Sequence, residues 1–322
     1  MAFAFVFPGQ GSQSVGMLAG LAASGPAVRE TFAEASSVLG YDLWQLVSAG
    51  PEESLNATER TQPAMLAAGV AVWRVWRSRG GGLPALVSGH SLGEFTALAC
   101  AGVFEFAAAI ELVRFRGQVM QEAVPAGSGA MAAILGLEDD TVAALCREAA
   151  AGGVVEPVNF NSPGQIVIAG DAAAVQRAIE AAKARGAKRA LTLPVSVPAH
   201  SRLMRAAGER LRARLESLVL RRPEIPYVSA VDARPHSEPA DILEVLVRQI
   251  SSPVRWTDTV RALASGEIAQ LIECGPGKVL TGLNRRIERR ADLSFLALED
   301  PASIDSALGA TSGGATSGGA HA

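Results

Sequence analysis

Cysteine is scarce in this chain. Three residues, Cys100, Cys146 and Cys274, are spread far apart through 322 positions. An odd, scattered set excludes a disulfide framework and a cysteine-based metal site, and it points to the cytosol. Only four histidines are present, so any general base has few candidates. Charge of one sign is also missing. The net charge of −3 excludes bulk nucleic-acid binding as a function. No apolar run is long enough to cross a bilayer, so no membrane role is expected. The opening Met1–Pro8 stretch lacks a basic leader region and a cleavage site and reads as a first strand. What the chain does have is apolar content, 49% of residues. That is ample for two packed units rather than one.

The most informative stretch is residues 85–95. The apolar run Ala85–Val87 enters it, and a helical pattern of Phe95, Leu98 and Ala99 leaves it. Between them, Gly89-His90-Ser91-Leu92-Gly93 fits Gly-x-Ser-x-Gly, the nucleophile elbow. A strand that turns at once into a helix pushes its corner residue, Ser91, out at the tip. The following amide, that of Leu92, then points at whatever sits above the hydroxyl. The helix N-terminus favours negative charge there, so one turn supplies a nucleophile and half of an oxyanion hole.

The remaining chain reads as α/β. Ala2–Phe7 is a buried strand ending at Pro8-Gly9-Gln10-Gly11-Ser12-Gln13. This Gly-rich loop lacks the Lys-Ser/Thr ending of a phosphate loop. Gln10 on it is either a donor into a cleft or a solvated side chain. Thr61-Gln62-Pro63 opens a long helix that stops at Gly80-Gly81-Gly82, with Gln62 at its start as a cap or a ligand contact. A second long helix, residues 104–124, carries Arg116 directly before Gly117. Glycine inside a helix costs about 1 kcal/mol relative to alanine and often marks close approach by another group, although the local pattern does not decide Arg116's role.

Residues 127–197 have an order of their own: strand, helix, two strands, helix, strand. This βαββαβ succession is the ferredoxin-like order. A small ferredoxin-like subdomain is therefore expected as an insertion in a large α/β-hydrolase-like catalytic subdomain made of residues 1–126 and 198–308. Residues 309–322 repeat Ala-Thr-Ser-Gly-Gly and read as a disordered low-complexity tail.

Ser91 needs a base. His321 is in the tail, His236 lies in a polar Pro-rich stretch, and His90 adjoins Ser91 and points elsewhere. Elimination leaves His200, at the Pro198 corner where the small unit rejoins the large one. No acidic residue between Ser91 and His200 sits on an obvious strand-end loop. A carbonyl oxygen is therefore the expected partner that orients the imidazole.

These residues, together with Thr61-Gln62-Pro63-Ala64, Arg116-Gly117, Asn159-Phe160-Asn161-Ser162-Pro163-Gly164-Gln165, Val195–His200 and Glu273-Cys274-Gly275-Pro276-Gly277, make the chain closely similar to malonyl-CoA:acyl carrier protein transacylases of fatty acid synthesis. It more distantly resembles acyltransferase domains of polyketide synthases. The resemblance runs from Phe5 to about Leu298. It implies that Ser91 is acylated, with His200 as base held by the Gln249 backbone carbonyl. It places the Gln10 and Leu92 amides in the oxyanion hole and Arg116 on the malonyl carboxylate. Gln62, Asn159 and Asn161 would lie near the acyl group or the pantetheine arm. The family often has Ser before the catalytic histidine, whereas this chain has Ala199.

The expected substrates are malonyl-CoA and holo acyl carrier protein, with no metal or bound cofactor, and a cytoplasmic monomer is expected. A stand-alone polyketide-pathway acyltransferase and a serine thioesterase or hydrolase are the alternatives. Basic residues near Lys183–Arg189 and Arg285–Arg290 are either a docking face for an acidic carrier or solvated charge.

Overall fold

A computed structural model describes residues 1–195 and 197–312. It is a mixed α/β structure built on two sheets. The strands are β1 (Ala2–Phe7), β2 (Leu86–Gly89), β3 (Gly129–Leu135), β4 (Val155–Ser162), β5 (Gln165–Asp171), β6 (Arg189–Thr192), β7 (Tyr227–Val228), β8 (Pro235–His236), β9 (Ile268–Glu273) and β10 (Ser294–Ala297). The larger sheet has the order β10-β9-β1-β2-β7-β8 and is parallel except for β8. Parallel strands are covered on both faces, so they read as continuous apolar runs. β1 obeys this, with Phe3 to Phe7 all buried.

The chain leaves β1 towards β2 on one side and places β9 on the other. The carboxyl ends of β1 and β2 therefore flank a point where the strand order reverses, the place where open α/β sheets leave a crevice. The Pro8–Gln13 loop and the Gly89–Gly93 elbow both open there.

The smaller sheet is antiparallel, in the order β4-β5-β3-β6. Its two faces alternate with the period of a strand. Ala132, Ile134, Ile166 and Ile168 pack against the Asp139–Ala150 and Ala172–Ala184 helices through Leu145, Val175 and Ile179. Met131, Val158, Val167 and Ala169 face the other way, with Leu193, Val195 and Ala199 against them. β4 is joined to the Val254 segment of the larger unit by main-chain bonds on either side of Asn159. Val254 N–H donates to Val158 O at 2.8 Å, and Phe160 N–H donates to Val254 O at 2.9 Å.

Several elements differ from the sequence expectation. The long helix starts at Thr58 and runs to Ser78 with Pro63 inside it. Ala57 precedes it without a capping side chain, so no local signal marks that start. Gln62 is therefore not at the helix opening. The segment after Ser201, whose pattern predicts one helix over Arg202–Leu218, begins as a short 3-10 turn, Arg202–Met204, before the Arg205–Glu216 helix. Helices Trp256–Ala264 and Val279–Ile287 come before and after β9 in the chain. The Pro301–Ser312 helix extends four residues into the expected tail, and residues 313–322 of that tail lie outside the described residues.

Candidate active site

The elbow owes its shape to close packing. A Cβ on Gly89 would lie 1.9 Å from the Gly93 carbonyl carbon, and one on Gly93 would lie 1.9 Å from Phe7 O. Only hydrogen fits at either position, so β1, β2 and the Leu92–Cys100 helix meet there. Ser91 carries the strain of the turn at φ 53° and ψ −108°, an uncommon backbone region for a residue with a side chain.

His200 reaches Ser91 from the segment after β6. Its Nε2 lies 2.8 Å from Ser91 Oγ. Its Nδ1 lies 2.8 Å from the Gln249 carbonyl oxygen, at the C-terminus of the Pro239–Gln249 helix. A carbonyl only accepts, so the ring proton is on Nδ1. Nε2 then presents its lone pair to the serine hydroxyl, the tautomer a general base needs. Burial, joined by the nearby Arg116 charge, lowers the imidazole to about 3 from an ordinary 6.5. The imidazole is thus neutral across the physiological range.

Arg116 is 1% exposed. It descends from the Phe106–Glu122 helix, where Gly117 lets the Thr58–Ser78 helix come close. A Cβ on Gly117 would meet Glu59 Cα at 2.8 Å and Thr58 O at 2.9 Å. One guanidinium nitrogen donates to Gln62 Oε1 at 2.9 Å. The other donates to Ser91 Oγ at 3.1 Å and to Gln249 Oε1 at 2.9 Å. Nε has no partner among the described residues. Burial pulls the guanidinium down to about 10, still charged at neutral pH, while Glu94 opposes the shift.

These groups border a cavity of about 310 Å³. Gln10, Ser91, Leu92, Arg116 and His200 of the larger unit line it, together with Met131, Ala133, Asn159, Asn161 and Val167 of the small sheet and Leu193 just beyond β6. Neither the Gln10 nor the Leu92 amide donates to a backbone carbonyl among the described residues. Asn161 Oδ1 accepts from His90 Nε2 at 2.8 Å, and the His90 ring packs near Trp256. The histidine beside the nucleophile therefore ties β4 to the elbow. Asn159 is buried with its Oδ1 unpartnered among the described residues.

Gln62 is the residue placed differently from the expectation. It is buried beneath Arg116, outside the cavity lining, with its Nε2 on Met120 Sδ at 3.6 Å. The Gln249 side chain was not anticipated either. Its Nε2 donates to Ser91 O at 2.9 Å and to Glu94 Oε1 at 3.0 Å. The local sequence offered no sign of this, because Gln249, Arg116 and the Ser91–Glu94 stretch are far apart in the chain. Glu273 in the second Gly-rich motif is structural. It accepts from Leu280 N–H, Thr281 N–H and Thr281 Oγ1 at the start of the Val279–Ile287 helix. Burial raises its carboxyl to about 7. Among the described residues, no cluster of potential metal ligands occurs and no helix is long and apolar enough to cross a membrane.

A strained serine aligned with a neutral imidazole, two free amides and a buried guanidinium are the parts that a serine enzyme moving acyl groups needs. The chain belongs to the acyl transferase domain family, whose model matches residues 4–294. It is 56% identical over 306 residues to the malonyl CoA-acyl carrier protein transacylase of Salmonella typhimurium, covering 95% of this chain and 98% of that one. The Bacillus subtilis protein of the same name is 43% identical, with 95% and 96% covered. Among solved structures, a Vibrio cholerae acyl carrier protein S-malonyltransferase superposes with a TM-score of 0.92 at 56% identity, covering 95% of this chain and all of that one. A malonyl-transacylase solved in complex with a type II polyketide acyl-carrier protein gives 0.94 at 55% identity, covering 96% and 99%.

Proposed function

We propose that this chain transfers the malonyl group of malonyl-CoA to the phosphopantetheine thiol of acyl carrier protein through a malonyl-Ser91 intermediate, supplying extender units for fatty acid biosynthesis. The observation that carries the reading is the buried Arg116 guanidinium within hydrogen-bond reach of Ser91 Oγ. A hydrolase of neutral esters has no use for a buried cation at its nucleophile.

The steps follow from the geometry. His200 Nε2 takes the Ser91 proton as Oγ attacks the thioester carbonyl. The developing oxyanion is received by the Gln10 and Leu92 amides. Donors of this kind are each worth about 3–4 kcal/mol in the transition state. The imidazolium returns its proton to the CoA thiolate, which leaves. The carrier's thiol then loses its proton to His200 and attacks the Ser91 ester, and collapse of the second tetrahedral intermediate regenerates the serine. Meanwhile Arg116 pairs with the malonyl carboxylate. An acetyl or fatty acyl group would leave the buried charge without that partner, at a cost of about 3–5 kcal/mol. That corresponds to a hundredfold or more in discrimination. Asn159 and Asn161 border the path of the acyl group or the pantetheine arm, and Gln62 acts at one remove, by holding Arg116.

The site requires no metal or resident cofactor in this scheme. In the finer reading of the architecture, residues 1–126 and 198–308 form an α/β-hydrolase-like catalytic unit and residues 127–197 an inserted ferredoxin-like unit. The β3-to-β6 order and the antiparallel sheet support the latter. The enzyme acts as a cytoplasmic monomer without nucleic-acid or membrane partners. The three free thiols suit a reducing compartment. The relatives' names over nearly the whole chain do not favour the stand-alone polyketide or hydrolase alternatives.

Intact mass after brief exposure to malonyl-CoA tests the proposal. The wild type should gain one malonyl group and Ser91→Ala none. Rapid release of malonate and CoA without transfer to the carrier would overturn it in favour of a hydrolase.

A further inference from the structure

A buried polar chain runs behind the cavity. Glu94 is in the first turn of the Leu92–Cys100 helix, three residues after the nucleophile and fully buried. Its Oε1 accepts from Gln249 Nε2 at 3.0 Å. Its Oε2 accepts from Ser229 Oγ at 2.9 Å and from the Tyr227 hydroxyl. The Gln249 amide turns its oxygen to Arg116 at 2.9 Å and its nitrogen to Glu94 and to Ser91 O. Every link therefore runs one way, from the guanidinium through the amide to the carboxylate.

A primary amide can turn over by rotation about its terminal bond. Here the reversed amide would put its NH₂ against a guanidinium that has only donors, and its oxygen against a carboxylate and a carbonyl that only accept. Glu94 is the side chain that, with the Ser91 carbonyl, holds the amide nitrogen in the observed direction. It is also a buried acid linked to Arg116, one amide away and not in direct contact. A direct ion pair would occupy the guanidinium. An amide relay leaves it aimed at Ser91 and free to take a carboxylate from the cavity. Tyr227 and Ser229, on and just after β7, hold the carboxylate from behind.

We infer that Glu94 is a positioning residue: by fixing the direction of the Gln249 side-chain amide it aims Arg116 into the cavity, and so sets the preference for acyl groups that carry a carboxylate. The inference rests on the reading of Arg116 given above.

The test compares wild type, Glu94→Gln, Tyr227→Phe and Arg116→Ala in the full chain. Acylation by malonyl-CoA, acylation by acetyl-CoA and sulfonylation of Ser91 by phenylmethylsulfonyl fluoride are each measured as a second-order rate. Glu94→Gln should lower the malonyl rate by about 30–100-fold, as expected for loss of a buried charge partner. The acetyl and sulfonyl rates, which need Ser91 and His200 but no carboxylate holder, should change by less than about threefold. Tyr227→Phe removes one donor from Glu94 and should shift the malonyl-to-acetyl ratio in the same direction by about 3–10-fold.

Equal losses on all three reagents in Glu94→Gln would mean a structural role alone and overturn the inference. If Glu94→Gln does not fold, Tyr227→Phe decides: a lowered malonyl-to-acetyl ratio supports the inference and an unchanged one overturns it. If Arg116→Ala loses malonyl preference while Glu94→Gln keeps it, only this inference fails. If Arg116→Ala itself keeps that preference, the functional reading of Arg116 fails.

Discussion

The two sheets border the same cavity with different chemistry. The parallel sheet and its helices bury Glu94, Arg116, His200, Gln249 and Glu273, all at most 3% exposed. The antiparallel sheet brings no charged side chain to the cavity: Met131, Ala133 and Val167 border it, with the neutral amides of Asn159, Asn161 and Gln165 beside them. Its buried polar side chains among the described residues are Asn159 and Ser162, both on β4, where it bonds to the larger unit or turns into β5. The comparison separates holding reacting atoms from shaping the space around them. Charged and reacting groups need rigid, fully bonded surroundings, because an unpaired buried polar group is costly. An apolar wall needs only the right volume and tolerates change better.

That contrast can be broken, or sharpened, in order of expected effect. Gly93→Ala strikes the packed centre of the parallel unit. A methyl group there would collide with Phe7 O, a backbone atom that cannot swing away. The expected loss is more than about 4 kcal/mol, enough to unfold the chain or separate β1 from the elbow. It is read from a thermal melt, and a Tm within a few degrees of wild type would deny that the elbow depends on glycine.

Arg116→Ala keeps the fold's backbone but removes the buried cation. Acylation by malonyl-CoA should fall about a hundredfold, and acetyl groups should be accepted in its place. Competition between the two thioesters, followed by intact mass, gives the ratio directly.

His200 provides a test with pH. The folded imidazole stays neutral down to about 3, mainly through burial and then through the Arg116 charge, whereas the unfolded ring titrates near 6.5. Below that value the unfolded chain holds a proton that the folded chain refuses. Stability from this group is therefore complete above about 6.5 and falls as the pH is lowered towards 3, by about 1.4 kcal/mol per pH unit. Urea titrations from pH 7 to pH 4 should show a shallower decline in His200→Gln than in the wild type. Equal slopes would place the proton elsewhere.

The smallest effect belongs to the wall. Val167→Ala should cost about 1–2 kcal/mol of stability. Its effect on malonyl kcat/KM should stay within about threefold, because no carboxylate or reacting atom loses a partner. A loss comparable to that of Arg116→Ala would show that the antiparallel sheet takes part in the chemistry.

Local sequence determined the parts that depend on near neighbours. The Gly-x-Ser-x-Gly spacing announced the elbow because Gly89 meets Gly93 within five residues, whereas the contact of Gly93 with Phe7 of β1 appears only in the fold. The βαββαβ order was legible because each element has its own apolar period. His200 could be reached by elimination only because histidine is so rare here, and Gly117 betrayed the close helix beneath Arg116. Helix starts without a capping side chain, such as that after Ala57, left no mark.

Only the tertiary structure decided which distant side chains share a hydrogen bond. Gln62 and Gln249 flank one guanidinium from positions 62 and 249, and Glu94 closes the chain against Tyr227 and Ser229. No periodicity encodes such a meeting. The direction of a buried amide and the charge of a buried acid are fixed by what packs around them, and that exists only once the chain has folded.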